Sequence, residues 1–269
     1  MYFPRYQFIC YNRRTGSEIY DYPTSRIDKE EIVKFIHARL PCVPIKVIRA
    51  NSFEPEAKVY RMRTNDAQRQ LVGAIVFKDH DIAEFREVKY FATSHQGSGY
   101  GRKLMDALKS DGVDARLFYI VLYASNTAVQ FFQKQHFNDF PSQICGLSKT
   151  VVLSRIEQYQ RSTLMACDLL ELFPSSFKSL ETSVKIGDRV LVSHGLRHAR
   201  DEEAEVIGTN GPLKIKVTYP RWTADSDEWI VTGAKRLKLC KAAPVETADP
   251  VDESSEKSAF GLIKRIRII

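Results

Sequence analysis

The chain has 269 residues, and 43% of them are hydrophobic, which suits one large or two modest folded domains and excludes disorder throughout. No run of 18 apolar residues occurs, so the sequence predicts no membrane-spanning helix. The net charge of +7, from 40 Lys and Arg against 33 Asp and Glu, favours an anionic partner but is too small to indicate a nucleic-acid-binding protein.

Signals for secretion, disulfides and metal ligation are weak. The first residues, MYFPRYQFICYNRR, lack the charged-then-apolar order of a signal peptide, so we expect a soluble intracellular protein with no membrane partner. The cysteines are odd in number, far apart and without a C-x-x-C pair, which predicts reduced thiols and no metal site; they are Cys10, Cys42, Cys145, Cys167 and Cys240.

The first elements in chain order are a strand over residues 5–11 and a helix whose N-cap we place at Asp28. This helix ends before Pro41 and carries apolar residues at helical spacing, namely Ile32, Phe35, Ile36 and Leu40. Three β-rich runs follow, at 58–62, 71–77 and 82–91, and predict an antiparallel meander.

A glycine-rich turn and an amphipathic helix come next. The turn comprises Gln96, Gly97, Ser98, Gly99, Tyr100 and Gly101, and its glycines allow a sharp bend and a close approach to a ligand. The helix presents unpaired N–H groups and a positive dipole end beside them, so the pattern predicts a pyrophosphate site. Dinucleotide-binding folds share this pattern, but they place it after the first strand with an acidic residue about 20 positions later, which this chain lacks.

The remaining pattern divides the chain. A strand at 117–122, a helix from about Thr127 to Gln135, and strands around 151–156 and 163–170 complete a mixed α/β domain over residues 1–170. Residues 171–182 predict a linker, because Ser, Pro and isolated charges replace the apolar periodicity. Short alternating strands over 183–240 predict a small all-β barrel, and the composition of 241–269 predicts a mostly disordered tail.

Several stretches resemble known acetyltransferases. Residues 96–101 fit the Q/R-x-x-G-x-G/A signature of the GNAT superfamily. The stretches YASNTAVQFFQKQHF (123–137), RIEQY (155–159) and TLMAC (163–167), with RLPCVP (39–44) and VGAI (72–75), resemble SAGA-type histone acetyltransferases. The resemblance covers most of residues 30–170. It implies the GNAT fold, a mixed and mostly antiparallel central sheet flanked by helices, with acetyl-CoA as co-substrate and no metal.

The resemblance also implies roles for particular residues. The turn residues 96–101 would hold the coenzyme pyrophosphate, and main-chain groups of Phe91, Ala92 and Thr93 would pair with the pantetheine arm. Asn126 would cap the helix after the next strand and face the same arm. His136 stands where the family usually has glycine, which puts the geometry of that turn in question.

The catalytic base is assigned to Glu87 by its register from the VGAI stretch. Its neighbours Val88, Tyr90 and Phe91 would desolvate the carboxylate and make it a stronger base. Counting back from Gln96 without a gap reaches Phe85, so the assignment requires a loop that is two residues shorter than the family's. Glu84 is the alternative base.

The C-terminal region resembles a second family. Residues 217–222 and 227–230 resemble the chromo-barrel (Tudor-knot) domains of chromatin proteins, which implies an SH3-like barrel. Tyr219 and Trp222 would then form part of an aromatic cage for methylated lysine. Ser226 takes the position of the family's second cage tryptophan. RNA is the alternative ligand of the barrel.

The leading hypothesis from these resemblances is a nuclear histone lysine acetyltransferase that acts on an H3-like tail within a chromatin complex. A lysine amine has a pKa of about 10.4, so a base is needed to free it at neutral pH. Two alternatives stay open: an acetyltransferase for a non-histone protein or a small amine, and a catalytically weak scaffold that binds chromatin or RNA.

Overall fold

The structure, a computed structural model, describes residues 19–22, 25–81, 84–140, 152–180, 184–193, 201–223 and 227–240. Both sheets lie in one unit, Met1–Leu239, and a second unit, Cys240–Ile269, contributes only Cys240 to the described residues. The strand predicted at 5–11 and the tail predicted at 241–269 lie outside these ranges. Within them, no helix has both the length and the apolar character needed to cross a membrane.

The first sheet has the order β1-β2-β3-β4-β5-β7-β6. Its strands are β1 Ile19–Asp21, β2 Ala57–Arg63, β3 Leu71–His80, β4 Phe85–Thr93, β5 Tyr119–Ser125, β6 Asn138–Asp139 and β7 Ser162–Asp168. Neighbouring strands are antiparallel except β4 and β5, which are parallel. The predicted mixed, mostly antiparallel sheet is therefore confirmed.

Helices cover both faces of this sheet. They are α1 Arg26–His37, α2 Ile45–Phe53, α3 Tyr100–Asp114, α4 Val129–Gln133, α5 Leu169–Leu172 and α6 Pro174–Phe177, with a 3-10 turn at Lys178–Leu180. On one face, Ile32, Val33 and Ile36 of α1 are fully buried in a cluster with residues of β2, β3 and β4. On the other face, Leu104, Met105 and Leu108 of α3 bury the predicted apolar stripe.

Three local predictions were wrong. The N-cap of α1 is Ser25 and not Asp28: the Ser25 hydroxyl accepts the Asp28 N–H, and the Asp28 carboxylate accepts the Ser25 hydroxyl proton. Residues 152–153, predicted as part of a strand, are helical. Helix α2 was missed, because its sequence, IKVIRANSF, is short and rich in β-branched residues that favour strands.

The segment predicted as a linker carries short helices. Helices α5 and α6 and the 3-10 turn occupy most of residues 171–180, and Phe177 is fully buried against Phe118. An aromatic residue buried in this way anchors the segment to the first sheet.

A buried arginine joins β3, β4 and α3. Arg86 is completely buried, and its guanidinium contacts Asp79 at 2.6 Å, Asp111 at 2.7 Å and the Leu108 carbonyl at 3.2 Å. Burial opposes ionisation of Asp79, but the Arg86 guanidinium outweighs it and lowers the Asp79 pKa. This network fixes α3 on the sheet, and with it the turn that precedes α3.

The second sheet is antiparallel and curled, with the order β11-β10-β9-β8-β12. Its strands are β8 Arg189–Val192, β9 Glu202–Asn210, β10 Lys214–Thr218, β11 Glu228–Val231 and β12 Leu237–Leu239. One face buries Val190, Val192, Val206, Ile215, Val217 and Ile230. A closed barrel over 183–240 stays a prediction.

Two polar contacts fix this sheet to the first. The Lys214 ammonium lies 2.6 Å from the Asp168 carboxylate, and the Lys235 N–H donates to the Glu84 carboxylate at 2.6 Å. The contacts reach the N-terminal end of β4, which is the end opposite the glycine turn.

Candidate active site

The glycine turn lies exposed at the C-terminal end of β4. Gly97 and Gly99 have φ of 79° and 81°, the left-handed region that side chains disfavour, and Gly99 is the N-cap of α3. Residues 96–99 are all exposed, and the first-turn amides of α3 have no intrahelical acceptors. The turn therefore presents main-chain donors and a helix dipole to an anionic group, as a pyrophosphate site requires.

Gly101 is needed for close packing rather than for its backbone conformation. A Cβ at this position would lie 3.1 Å from the ring of Phe131, which is closer than normal packing. The ring of Phe131 in turn lies 5.6 Å from that of Phe91 and 5.1 Å from that of Phe132. These aromatic rings pack α4 against β4 and against the first turn of α3.

A slot opens between β4 and β5 beside this aromatic cluster. The two strands pair from Phe85 and Tyr119 only as far as Val88 and Leu122, although β4 continues to Thr93 and β5 to Ser125. Beyond Val88, β4 pairs with β3 on one side and has lost β5 on the other. The free edge of β4 is the geometry that an extended ligand arm needs if it is to pair with main-chain groups.

A β-bulge accounts for this divergence. In the pairing of β3 with β4, Val76 faces Tyr90 and Phe77 faces Val88, so Lys89 is an extra residue without a partner on β3. Bulges bend the strand that carries them and often lie next to active sites. The Lys89 side chain is buried and is held by the Glu54 carboxylate at 3.0 Å.

The predicted base lies at the closed end of the slot. Glu87 is 4% exposed and pairs with Lys78 on β3 and Val121 on β5, one position before β4 and β5 separate. His80 contacts its carboxylate, with 3.1 Å between His80 Nε2 and Glu87 Oε2. Glu84, the alternative base, precedes β4 and is engaged by Lys235 of the second sheet.

The other predicted coenzyme ligands differ in their surroundings. Phe91 and Ala92 lie on the free stretch of β4, while the Thr93 carbonyl accepts a hydrogen bond from Arg39 at 3.0 Å. Asn126 is exposed in the turn after β5, but the N-cap of α4 is Ala128, so the capping role predicted for Asn126 was wrong.

Sequence reasoning missed a polar cluster on the same face of the sheet as Glu87. The Asn51 amide donates to the Tyr90 hydroxyl at 2.8 Å and to Glu157 at 3.2 Å, and the Tyr159 hydroxyl donates to Glu157 at 3.0 Å. Tyr123, whose ring lies 5.7 Å from that of Tyr159, has a pKa raised first by burial and then by the charge of Glu87. The only sequence signal was that Tyr123, Glu157 and Tyr159 fall within the stretches that resemble the family.

In the second sheet, the two predicted cage residues have different exposures. Tyr219 is 3% exposed and donates to Glu228, while Trp222 is 47% exposed and lies over it with ring centroids 5.0 Å apart. The ring of Trp222 is therefore exposed to solvent, whereas Tyr219 is buried and packs against it. Ser226 lies outside the described residues.

Within the described ranges, no group of three or more His, Cys, Asp or Glu side chains has the proximity needed to hold a metal ion. Cys42, Cys167 and Cys240 are free thiols, and burial raises the pKa of Cys167 to about 12. Cys10 and Cys145 lie outside the described residues.

Comparison with known proteins agrees with this geometry. Residues 29–145 match the family described as acetyltransferase (GNAT) domain. This match covers less than half of the chain, so the matched residues are similar to a GNAT acetyltransferase domain. The exposed turn, the slot and the left-handed glycines fit acetyl-CoA as co-substrate.

The chain is similar to curated histone acetyltransferases named GCN5. It is 32% identical over 173 residues to the protein of Yarrowia lipolytica and 36% identical over 103 residues to that of Debaryomyces hansenii. These matches cover 59% and 37% of this chain but only 35% and 22% of the relatives, so the chain spans about a third of their length or less. The crystal structure of Tetrahymena GCN5 is 23% identical with a TM-score of 0.49, over 56% of this chain and 95% of that one.

Proposed function

We propose that this chain is an acetyl-CoA-dependent lysine N-acetyltransferase in which Glu87 is the general base. The observation that carries the proposal is the position of Glu87: a buried carboxylate on the last paired stretch of β4, beside the slot that opens at Val88. The glycine turn at the other end of the slot supplies the anion site.

The chemistry requires such a group. At neutral pH only about one lysine amine in a thousand is unprotonated and able to attack a thioester. A carboxylate within reach removes the ammonium proton before attack. Main-chain N–H groups along the free edge of β4 would stabilise the oxygen of the attacked carbonyl.

Glu87 is favoured over Glu84 as the base. The Glu84 carboxylate is engaged by the Lys235 N–H, and the residue lies at the end of β4 farthest from the glycine turn. A base at that end would be separated from the turn by the full nine-residue strand.

The acceptor we propose is an H3-like histone tail, acted on in the nucleus within a chromatin complex. This assignment is supported by the similarity to proteins named histone acetyltransferases. For the second sheet we propose a chromo-barrel in which Trp222 contributes a ring to a methyl-lysine or RNA site.

The test is a thiol-release assay with acetyl-CoA and three acceptors: an H3-tail peptide, a non-histone lysine peptide and a polyamine. We expect the H3 peptide to be preferred, and Glu87→Gln to lower kcat by at least 100-fold at neutral pH with the KM for acetyl-CoA unchanged. Glu84→Gln is the matched control and should keep kcat within about threefold.

Other results would redirect the assignment. A preference for polyamine would favour a small-amine acetyltransferase, and unchanged turnover of Glu87→Gln would reject the assigned base. A chain that neither binds acetyl-CoA in calorimetry nor acetylates any acceptor, yet binds histone or RNA tightly, would be a scaffold.

A further inference from the structure

A buried histidine is held against the proposed base from the neighbouring strand. His80 is the last residue of β3 and faces Phe85 across the strand pair, with their rings stacked at a centroid distance of 4.5 Å. Its Nε2 atom lies 3.1 Å from Glu87 Oε2, and His80 and Glu87 are 7% and 4% exposed. Within the described ranges, His80 is the side chain that hydrogen-bonds to the Glu87 carboxylate.

The chemistry of the two groups fixes the direction of this hydrogen bond. An ionised carboxylate only accepts hydrogen bonds, and a neutral imidazole carries its proton on one of its two nitrogens. Glu87 has to be ionised to act as a base, so the proton between the pair belongs to His80 Nε2. The bond then occupies Oε2 and leaves Oε1 as the oxygen free to take a proton.

We propose that His80 positions Glu87 for catalysis, by donating from Nε2 to Oε2 so that Oε1 receives the proton of the acceptor amine. His80 acts through Glu87 and touches no reacting atom, so it is a positioning residue. When the amine gives its proton to Oε1, the carboxyl becomes neutral and the Nε2–H bond stays in place. The inference rests on the proposed function, in which Glu87 is the base.

Charged and titratable groups from β3 and β5 surround the His80–Glu87 pair. Glu87 pairs with Lys78 of β3, and the pKa of Tyr123 on β5 is raised by burial and then by the charge of Glu87. His80 lines an open cleft of about 610 Å³ whose other charged residues are three acids and three bases: Glu56, Asp79, Asp81, Lys58, Lys78 and Arg155. The formal charges of these six residues cancel, so the cleft lining carries no net charge beside His80.

Two substitutions separate the hydrogen bond from the shape of the ring. His80→Phe keeps a ring to stack on Phe85 but removes the donor, whereas His80→Gln loses the ring but places an amide donor near Oε2. We expect His80→Phe to lower kcat by about tenfold or more with the KM for acetyl-CoA unchanged, and His80→Gln to retain kcat within about threefold. The acidic limb of the kcat profile should move to higher pH in His80→Phe only, because the donor favours the charged carboxylate.

Equal loss in both variants, or no loss in either, would show that His80 only packs the strands. The KM for acetyl-CoA and circular dichroism verify that each variant is folded.

A second measurement does not depend on turnover. We expect the ring nitrogen spectrum of the wild type to show a protonated Nε2 in His80 at neutral pH, with a resonance that shifts in Glu87→Gln while those of His37 and His95 stay in place. An unprotonated Nε2 would overturn the inference even in an active enzyme. Absence of turnover with a protonated Nε2 would instead count against the proposed function alone.

Discussion

Lys214 and Asp168 form a buried ion pair between the two sheets, with 2.6 Å between Nζ and Oδ2 and both side chains 8% exposed. Asp168 is also the N-cap of α5, where Oδ1 accepts the N–H groups of Leu170 and Glu171. Asp168 is therefore the last residue of β7, and its carboxylate both caps α5 and pairs with Lys214 of the second sheet.

Replacing Lys214 with Met should destabilise the protein by roughly 3 kcal/mol, because removing one partner leaves the other charge buried and unpaired. Urea denaturation at pH 7 measures this loss. Lys238→Met is the control, since Lys238 pairs with Asp201 at the surface and should cost less than about 1 kcal/mol. Equal effects of the two substitutions would contradict a buried pair that joins the sheets.

Glu84 should make stability depend on pH. Burial raises its pKa to about 7, although the Lys235 N–H and the nearby Arg236 oppose the rise. A carboxyl whose folded pKa lies above its unfolded value contributes stability below the unfolded pKa, near 4.3, and loses it as pH rises through the folded pKa. Glu84→Gln keeps the acceptor oxygen but cannot ionise. The free energy of unfolding of Glu84→Gln minus that of the wild type should therefore be larger at pH 8 than at pH 5 by roughly 2–3 kcal/mol.

Denaturation of both proteins at these two pH values is the measurement for Glu84. Glu203→Gln, at an exposed pair with Arg189, should show no comparable trend. A wild type whose stability relative to Glu84→Gln is the same at pH 5 and pH 8 would contradict the raised pKa.

Gly99→Ala should weaken acetyl-CoA binding by about tenfold. The added Cβ meets open space, so the cost is the left-handed backbone, roughly 1–2 kcal/mol, and relief of that strain would rotate the first amides of α3. Gly187→Ala is a matched control, because Gly187 has φ of 93° and equally open space in the turn that precedes β8. It should lower stability by a similar amount and leave the KM for acetyl-CoA unchanged. If both variants keep the wild-type KM, the turn does not hold the coenzyme.

His136→Gly should stabilise the protein by about 1 kcal/mol. His136 is exposed and has φ of 63°, a conformation that costs a non-glycine residue roughly 1–2 kcal/mol. His136→Ala should give no comparable gain, because alanine is strained in the same way. Thermal or urea unfolding compares the three proteins, and equal stability of the Gly and Ala variants would refute a strained backbone.

The sequence predicted those features that depend on the residues of a single helix or strand. The stripe of Leu104, Met105 and Leu108 and the three strands before the turn were predicted because periodicity is a property of neighbouring residues. The cap of α1 and helix α2 depend on more than the local sequence. Either Ser25 or Asp28 can cap a helix, and IKVIRANSF has no strong helical preference until it packs on β2.

The chain order by itself determined a glycine turn between a strand and a helix, the placement of a glutamate in the preceding strand, and a second region of short strands. Only the tertiary structure decided that Lys89 bulges so that β4 leaves β5, that His80 meets Glu87, and that Asp168 meets Lys214. These relationships join residues on different strands, and strand register and bulges depend on packing across the sheet rather than on local sequence.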